Sequence, residues 1–223
     1  MEQQVTYIKQ GKFTQHLLQA GVIGPIFFVL VFIIDGFLHP TYSQMSQMVS
    51  FLSVQANGWI QIANFVISGL LLIAFAIGFF QCMQPIIQRG HLIVISLLLF
   101  LVGAGLVNDG INVTALPGQP LGLHGSLHVL GFLVIFGSLI AASFLAGRQL
   151  LKVPAWRGYG LYSIITGFVS LLSFFALIVI IIKLPSIAGL VNRAVIIEAF
   201  SWCVIMGYTL LIKTASSSQS LQN

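Results

Sequence analysis

The sequence predicts an all-α integral membrane protein, a bundle of six transmembrane helices with both termini in the cytoplasm. Of its 223 residues, 58% are hydrophobic and only 6% are charged, and the mean hydropathy is +1.04, whereas about a quarter of the residues in a soluble domain are charged. The apolar residues form long unbroken runs, unlike the alternating pattern of a membrane barrel. A backbone in lipid must satisfy its own hydrogen bonds, so these runs indicate spanning helices.

Six stretches reach the roughly 20 apolar residues that cross a bilayer. They are, in chain order, residues 17–38, 59–82, 91–107, 125–146, 159–184 and 194–212. We therefore expect a cytoplasmic segment at 1–16, a transmembrane domain at 17–212 and a polar cytoplasmic tail at 213–223. Two connections, 39–58 and 108–123, are polar and long enough to fold over one face of the bundle.

The basic residues predict the orientation. Seven of the nine lie on the side of the termini: Lys9, Lys12, Arg89, Arg148, Lys152, Arg157 and Lys213. Only Lys183 and Arg193 lie on the other side, so the positive-inside rule puts the termini in the cytoplasm and the two long connections outside. The scattered charges form no Lys/Arg patch for nucleic acid. We expect a multi-pass protein of the cell membrane whose main partner is the lipid bilayer.

Ionisable residues within spans are costly in lipid and mark candidate functional sites. Asp35 and His39 end the first span, Asp109 ends the third, and His124 and His128 begin the fourth. An i, i+4 pair projects from one helix face, and imidazole and carboxylate groups suit zinc or another transition ion. This pattern indicates a candidate metal site with His39, His124, His128 and Asp35 as ligands and zinc as the cofactor.

The same residues allow a second interpretation without a metal. In it, His124 and His128 hydrogen-bond Asp109 and Asn108 across a short hairpin between the third and fourth helices. Such bonds would satisfy buried polar groups and hold the helices in register. The sequence alone leaves both interpretations open.

The connection 39–58 adds hydroxyl groups to this end of the bundle. Its periodic residues are Ser43, Ser46 and Ser50, with Met45, Met48 and Leu52 between them. This helical spacing predicts a short amphipathic helix that lies on the membrane. Ser46 and Ser50 would point at the polar cluster, where a hydroxyl binds a metal, binds a substrate or caps a helix. Tyr42, just before them, is a further polar candidate.

Glu198 lies about one turn into the sixth predicted span, shortly after Lys183 and Arg193. We expect Glu198 to form an ion pair with one of these two cations. Alternatively, the two cations attract an anionic headgroup, which would suit a lipid or small-molecule substrate from the outer leaflet.

Short motifs carry a family resemblance. They are Gly24-Pro25, Pro40-x-Tyr42, Ser50-x-Leu52, the helix from Trp59 to Gly69, Asp109, and the HGSLH run at 124–128. With them the chain resembles, over residues 17–212, the bacterial membrane family named domain of unknown function 998. The resemblance implies six helices in a bacterial cytoplasmic membrane and no established activity.

A fainter similarity links the chain to the seven-helix membrane hydrolases that include alkaline ceramidases and adiponectin-type receptors. That superfamily combines a Ser, an Asp and three His at a zinc site. Asp35, His39, Ser50, His124 and His128 are the corresponding residue types here. The chain departs from the pattern because it has six predicted helices and its HxxxH motif falls on the fourth.

Four functions therefore remain open. One is a metal-dependent hydrolase of a lipid or amide, with Asp109 and Ser50 as catalytic candidates and Asp35 or Asp109 as the base or the orienting group. Another is a proton-linked transporter or sensor, since histidine changes charge near neutral pH. A haem protein would need His39 to face His124 or His128. The last is a non-enzymatic membrane protein, such as a structural subunit, in which the cluster is a hydrogen-bond network.

Overall fold

The computed structural model describes residues 11–116 and 118–219 and contains six long helices. They are α1 (Lys12–Leu38), α2 (Trp59–Met83), α3 (Arg89–Ile111), α4 (Gly122–Leu150), α5 (Arg157–Lys183) and α6 (Ala188–Gln219). Three short 3₁₀ helices lie at Val49–Val54, Pro154–Trp156 and Pro185–Ile187. The described residues contain no β-strand. All six long helices are apolar enough to cross a membrane, which confirms the predicted fold class.

Most helices extend beyond the predicted apolar stretches. α3 continues to Ile111, α4 runs from Gly122 to Leu150, and α6 already begins at Ala188. Counting apolar residues finds only the part of a helix that lies in lipid. Polar residues at the helix ends extend each helix into the membrane interface. The outermost parts of the predicted cytoplasmic segments, residues 1–10 and 220–223, lie outside the described residues.

The helices pack as a closed ring. Each helix contacts the next along the chain, and α1 also contacts α6. Since neighbouring helices run antiparallel, α1 begins and α6 ends at the same end of the bundle. We call this the terminal end, and the opposite end, which carries connections 39–58 and 112–121, the long-loop end. That the long-loop end faces outward remains a prediction from the charges.

Glycines allow close contact between α2 and α3. A Cβ at Gly69 would lie 2.6 Å from the carbonyl oxygen of Gly103, and one at Gly103 would overlap the backbone of α2 in the same way. Small residues at such positions let helix backbones approach in a membrane. The α2–α3 pair therefore depends on having no side chain at either position.

The predicted amphipathic helix on the membrane surface is wrong. Tyr42, Val49 and Leu52 are buried in the bundle, and only Val49–Val54 forms a short 3₁₀ helix. Besides local turns, the backbone of this connection bonds to α6, because Met45 O accepts a bond from Leu190 N at 2.9 Å and Val49 N donates to Asn192 Oδ1 at 3.0 Å. The connection closes the long-loop end of the ring.

Candidate functional site: a cavity inside the helix ring

A cavity of about 230 Å³ lies inside the ring near the long-loop end. All six helices line it, from Phe28 on α1 to Phe200 on α6, and so does the connection 39–58. Twelve of its 17 lining residues are apolar. The polar ones are Ser50, Asp109, Thr114, His128 and Asn192. A mostly apolar pocket with a few convergent polar groups is the usual form of a small-molecule site.

A row of aromatic rings forms one wall of the cavity. The centroid of His128 lies 6.0 Å from that of Phe65, which lies 5.3 Å from Phe28, which in turn lies 5.7 Å from Phe200. The rings come from α4, α2, α1 and α6 and meet at the tilted or edge-on angles that aromatic pairs prefer. The row joins the first and last helices of the ring.

The cavity has a polar end and an apolar end. Asp109 lies two residues from the end of α3, and Asn192 lies four residues from the start of α6, both at the long-loop end. Phe136 lies eight residues beyond His128 on α4, which is about 12 Å along a helix axis. The polar groups therefore sit beneath the connection 39–58, and the aromatic end reaches toward the middle of the bundle.

His128 is held by one ring nitrogen and offers the other. Nδ1 lies 2.8 Å from the carbonyl oxygen of Asn112 and 3.9 Å from Asp109 Oδ1. A carbonyl only accepts, so Nδ1 carries the proton and donates. In the neutral ring Nε2 then bears the lone pair, and it has no hydrogen bond to another described residue. His128 can accept a proton or a hydrogen bond from a molecule in the cavity.

Asp109 is positioned by its neighbours on α3 and α4. Asn108 Nδ2 donates to Asp109 Oδ1 at 3.1 Å and to the carbonyl of Leu127 at 2.8 Å, which ties α3 to α4. Gly131 makes room for the carboxylate, because a Cβ at position 131 would overlap Asp109 Oδ1. No motif in the sequence reveals this role of Gly131.

Both histidines hydrogen-bond across the α3–α4 hairpin, as the second interpretation predicted, but the predicted partners Asp109 and Asn108 are wrong, because the bonds go to Asn112. Asn112 is the centre of this hairpin: its Nδ2 donates to Asn108 Oδ1 at 2.9 Å, its Oδ1 lies 2.9 Å from His124 Nδ1, and its carbonyl binds His128. Sequence reasoning missed Asn112, although the i, i+4 spacing from Asn108 was a usable signal.

The predicted metal ligands do not form one group. Asp35 Oδ1 and His39 Nε2 pair with each other at 3.2 Å, and neither residue lines the cavity, nor does His124. Among the described residues, no group of three or more His, Cys, Asp or Glu could hold a metal ion. His39 caps α1 and turns back onto its own helix, which separates it from the α3–α4 hairpin. Zinc stays a prediction without support from this geometry.

The two predicted catalytic residues, by contrast, share the cavity. Ser50 and Asp109 both line it, together with His128. The Ser50 hydroxyl has no hydrogen bond to another described residue. Ser46 lies outside the cavity, and its backbone N–H donates to Ser43 Oγ at 3.3 Å.

Arg193 holds the connection 39–58 against α6. Its Nη1 donates to the carbonyls of Gln44, Gln47 and Gly189 at 2.8–2.9 Å, and its Nη2 donates to the hydroxyl of Tyr42. The guanidinium carbon lies 5.3 Å from the Tyr42 ring centroid. The prediction that Glu198 pairs with Arg193 or Lys183 is wrong, because Arg193 bonds these carbonyls and Glu198 forms no ion pair with a described residue. Arg193 is only 6% exposed, so the prediction of an exposed headgroup site at Arg193 is wrong as well.

Tyr42 also holds the connection 39–58 in place. Its hydroxyl donates to the carbonyl of Met48 at 3.0 Å, immediately before the cavity residue Val49. Burial raises the pKa of the Tyr42 phenol, and the nearby Arg193 charge offsets part of that rise. Tyr42 therefore stays a neutral hydrogen-bonding group well into alkaline solution.

Glu198 lies deeper than predicted. α6 begins at Ala188, so Glu198 is ten residues from its start, or about 15 Å along the axis. Its two carboxylate oxygens accept from Ser170 Oγ on α5 at 2.9 and 3.1 Å. Glu198 thus links the middle parts of α5 and α6. It does not line the cavity, and it lies away from the long-loop end.

An open groove of about 500 Å³ lies beside the cavity, between residues 46–51 and the α5–α6 connection. Six residues line the groove but not the cavity: Ser46, Gln47, Phe51, Pro185, Ser186 and Ala188. Met48 and Ile181 line both the groove and the cavity. These two side chains form the partition between the two spaces.

Comparison with known proteins gives a family and no activity. The model of the family described as "Protein of unknown function (DUF998)" matches residues 22–209. A search of curated proteins found no match to the chain, and neither did a search of solved structures. The chain belongs to the DUF998 family, as its motifs predicted, and any function has to be argued from the cavity.

Proposed function

We propose that this DUF998 protein binds a lipid-like amphiphile in the cavity, with the polar group of the ligand at Asp109 and His128. The observation that supports this proposal is that the cavity inside the ring is polar at the long-loop end and aromatic toward the middle of the bundle. An amphiphile in one leaflet has the same arrangement, with its polar group at the interface and its chain toward the bilayer centre.

The polar end suits a neutral group such as an amide, ester or hydroxyl. His128 Nε2 accepts a hydrogen bond, and Ser50 Oγ both donates and accepts. No Lys or Arg lines the cavity, so an anionic group would be buried without a counter-charge. A neutral polar group is therefore the better fit.

The size of the cavity defines a suitable probe. Cavities of about 150 Å³ bind benzene, so 230 Å³ corresponds to about nine non-hydrogen atoms on the same scale. Heptanamide has this size, with a neutral polar group at one end and an alkyl chain behind it.

The test compares heptanamide binding to protein in nanodiscs with binding to empty nanodiscs, by equilibrium dialysis and mass spectrometry. Ile196 lines the cavity, whereas its neighbour Ile197 is 45% exposed on the outside of α6. Ile196→Phe fills the cavity and should weaken binding at least about tenfold, while Ile197→Phe should leave it within about twofold, because only the first variant takes space from the ligand. No excess binding over empty nanodiscs, or equal effects of the two variants, would refute the proposal.

Hydrolysis of the bound amphiphile is a second candidate function, favoured because the same cavity is lined by His128, whose Nε2 is free, and by Ser50, whose hydroxyl is unbonded. In this scheme Ser50 Oγ attacks the ester or amide carbonyl while His128 Nε2 takes its proton. The same proton passes to the leaving group, and water then releases the acyl group from Ser50. The scheme needs no metal ion.

The histidine motif contains the control for this candidate. His128→Gln removes the base and should slow the hydrolysis of para-nitrophenyl hexanoate about 100-fold or more, and Ser50→Ala should do the same. His124→Gln changes the other histidine of the motif, which does not line the cavity, and should retain the activity. Wild-type protein that hydrolyses no faster than His128→Gln would leave binding as the only function.

A further inference from the structure

The polar end of the cavity is also the end that adjoins the groove. Ile181, which lines both spaces, lies two residues before the end of α5, just as Asp109 lies two residues before the end of α3. Met48 comes two residues before the cavity residue Ser50. The polar groups therefore stand between two mostly apolar spaces, the aromatic end of the cavity on one side and the groove on the other.

The cavity by itself is too small for a membrane lipid. It has room for about nine non-hydrogen atoms on the scale of known ligand cavities. The groove, at about 500 Å³, is the larger of the two spaces. A ligand longer than the cavity can continue into the groove past Met48 and Ile181, the two residues that line both spaces.

The partition can open without a change of backbone. The backbone on either side of Met48 is fastened, because Tyr42 bonds the Met48 carbonyl and Asn192 bonds the Val49 N–H. The Met48 side chain itself is partly exposed, and methionine is unbranched, with three rotatable bonds. Met48 can therefore change its side-chain rotamer while its backbone stays in place.

We infer that the cavity and the groove are two sections of one binding site, and that its ligand has a neutral polar linkage, such as an amide or ester, between two apolar chains. One chain occupies the aromatic end of the cavity, the linkage lies at Asp109 and His128, and the second chain passes Met48 into the groove. This inference rests on the proposed function, since it extends the same ligand from the same polar groups.

Two isomeric amides separate this inference from simple cavity binding. N-hexylheptanamide has its amide between two short chains, and tridecanamide has the same atoms with the amide at one end. The isomers differ in where the polar group lies, so a two-section site should bind N-hexylheptanamide at least about tenfold more tightly, whereas a single cavity would not prefer it. Heptanamide, which occupies the cavity alone, reports on the proposed function.

A residue that lines the groove but not the cavity provides the variant, and an exposed methionine that lines neither space provides the control. Ser186 lines only the groove, so Ser186→Trp should fill the groove and abolish the preference for N-hexylheptanamide while heptanamide binding stays within about twofold. Met45 is 52% exposed and lines neither space, so Met45→Trp should preserve the preference. All affinities are measured by equilibrium dialysis in nanodiscs with mass spectrometric counting of the bound amide.

The outcomes are distinct. Heptanamide binding with equal affinities for the two isomers, or a preference that survives Ser186→Trp, would overturn the two-section site and leave the proposed function standing. If heptanamide and both isomers fail to bind, the proposed function fails and this inference fails with it.

Discussion

The carboxylate of Asp109 on α3 lies directly against Gly131 on α4, in the space that a side chain at position 131 would occupy. The position of Asp109 at the polar end of the cavity therefore depends on Gly131, which has no side chain. An added methyl group there would force the Asp109 side chain away from Asn108 and out of its present position.

Gly131→Ala should weaken heptanamide binding at least about tenfold and lower the free energy of unfolding by about 1–3 kcal/mol, the usual cost of overpacking. The matched control is Gly137→Ala on the same helix, where an added Cβ meets no atom within 4 Å. Affinity is measured by dialysis and stability by denaturant titration in detergent. Equal affinities for the two variants would contradict the role assigned to Asp109.

Arg193→Lys should loosen the connection 39–58, because an ammonium group cannot reach three carbonyls and a phenol in the fixed geometry of the guanidinium. We expect a loss of about 2–4 kcal/mol, since buried acceptors lose their donors, and faster hydrogen exchange in residues 42–49. Lys183→Met removes an exposed cation at the same end and should change neither. Unchanged exchange in Arg193→Lys would show that the connection is held by other contacts.

Ser170 and Glu198 should be energetically coupled. In a double-mutant cycle with Ser170→Ala and Glu198→Leu we expect a coupling of about 0.6–1.7 kcal/mol, the range seen for hydrogen bonds between membrane helices. Ser143 donates only to Leu139 on its own helix, so a cycle of Ser143→Ala with Glu198→Leu should give a value near zero. Equal couplings in the two cycles would mean that the α5–α6 bond is not maintained in the membrane.

Tyr42 should make the protein less stable in strongly alkaline solution. Burial raises its pKa above the usual 10.0 in the folded state, so above about pH 10 the folded protein holds a proton that the unfolded chain releases. Stability from this group is complete below pH 10 and falls as pH rises. Tyr42→Phe should be less stable by about 1–2 kcal/mol at neutral pH but show a flatter decline above pH 10. Parallel curves for the two proteins would contradict the raised pKa.

Chelation of metal ions should leave the site unaffected. The polar end of the cavity holds one histidine and one carboxylate, fewer than the three protein ligands of a usual catalytic zinc site. We expect heptanamide affinity to be the same before and after treatment with EDTA. Near-stoichiometric zinc in purified protein that disappears in a His124→Ala/His128→Ala double mutant would instead revive the metal hypothesis.

The six spans and three of the five polar residues that line the cavity could be predicted from the sequence, for separate reasons. An apolar run long enough to cross a bilayer is rare outside spanning helices, so the number of helices followed directly. Asp109 and His128 stood out because ionisable groups near the ends of apolar helices are scarce in this chain, and Ser50 because of the spacing of hydroxyls in the connection 39–58, although the amphipathic helix inferred from that spacing does not form. All three line the cavity.

The neighbours of these residues could not be predicted. An i, i+4 pair shows which face of a helix two side chains share, but not which helix that face meets, so Asp35 and His39 were grouped with histidines that they do not join. Arg193 was expected to find a carboxylate, whereas it bonds backbone carbonyls of a connection whose course depends on α6. Such bonds join residues far apart in sequence and leave no local pattern.

The contact between α1 and α6 has a consequence for how the protein matures. The ribosome synthesises α1 long before α6, so Phe28 has no contact with Phe200 until α6 has been made. In the folded protein the ring centroids of these two residues lie 5.7 Å apart. Until α6 enters the membrane, the chain has an open side where the finished protein has a wall. Binding competence would then appear only with the final helix, so a chain that stalls or is cut before α6 has five inserted helices and no site to occupy.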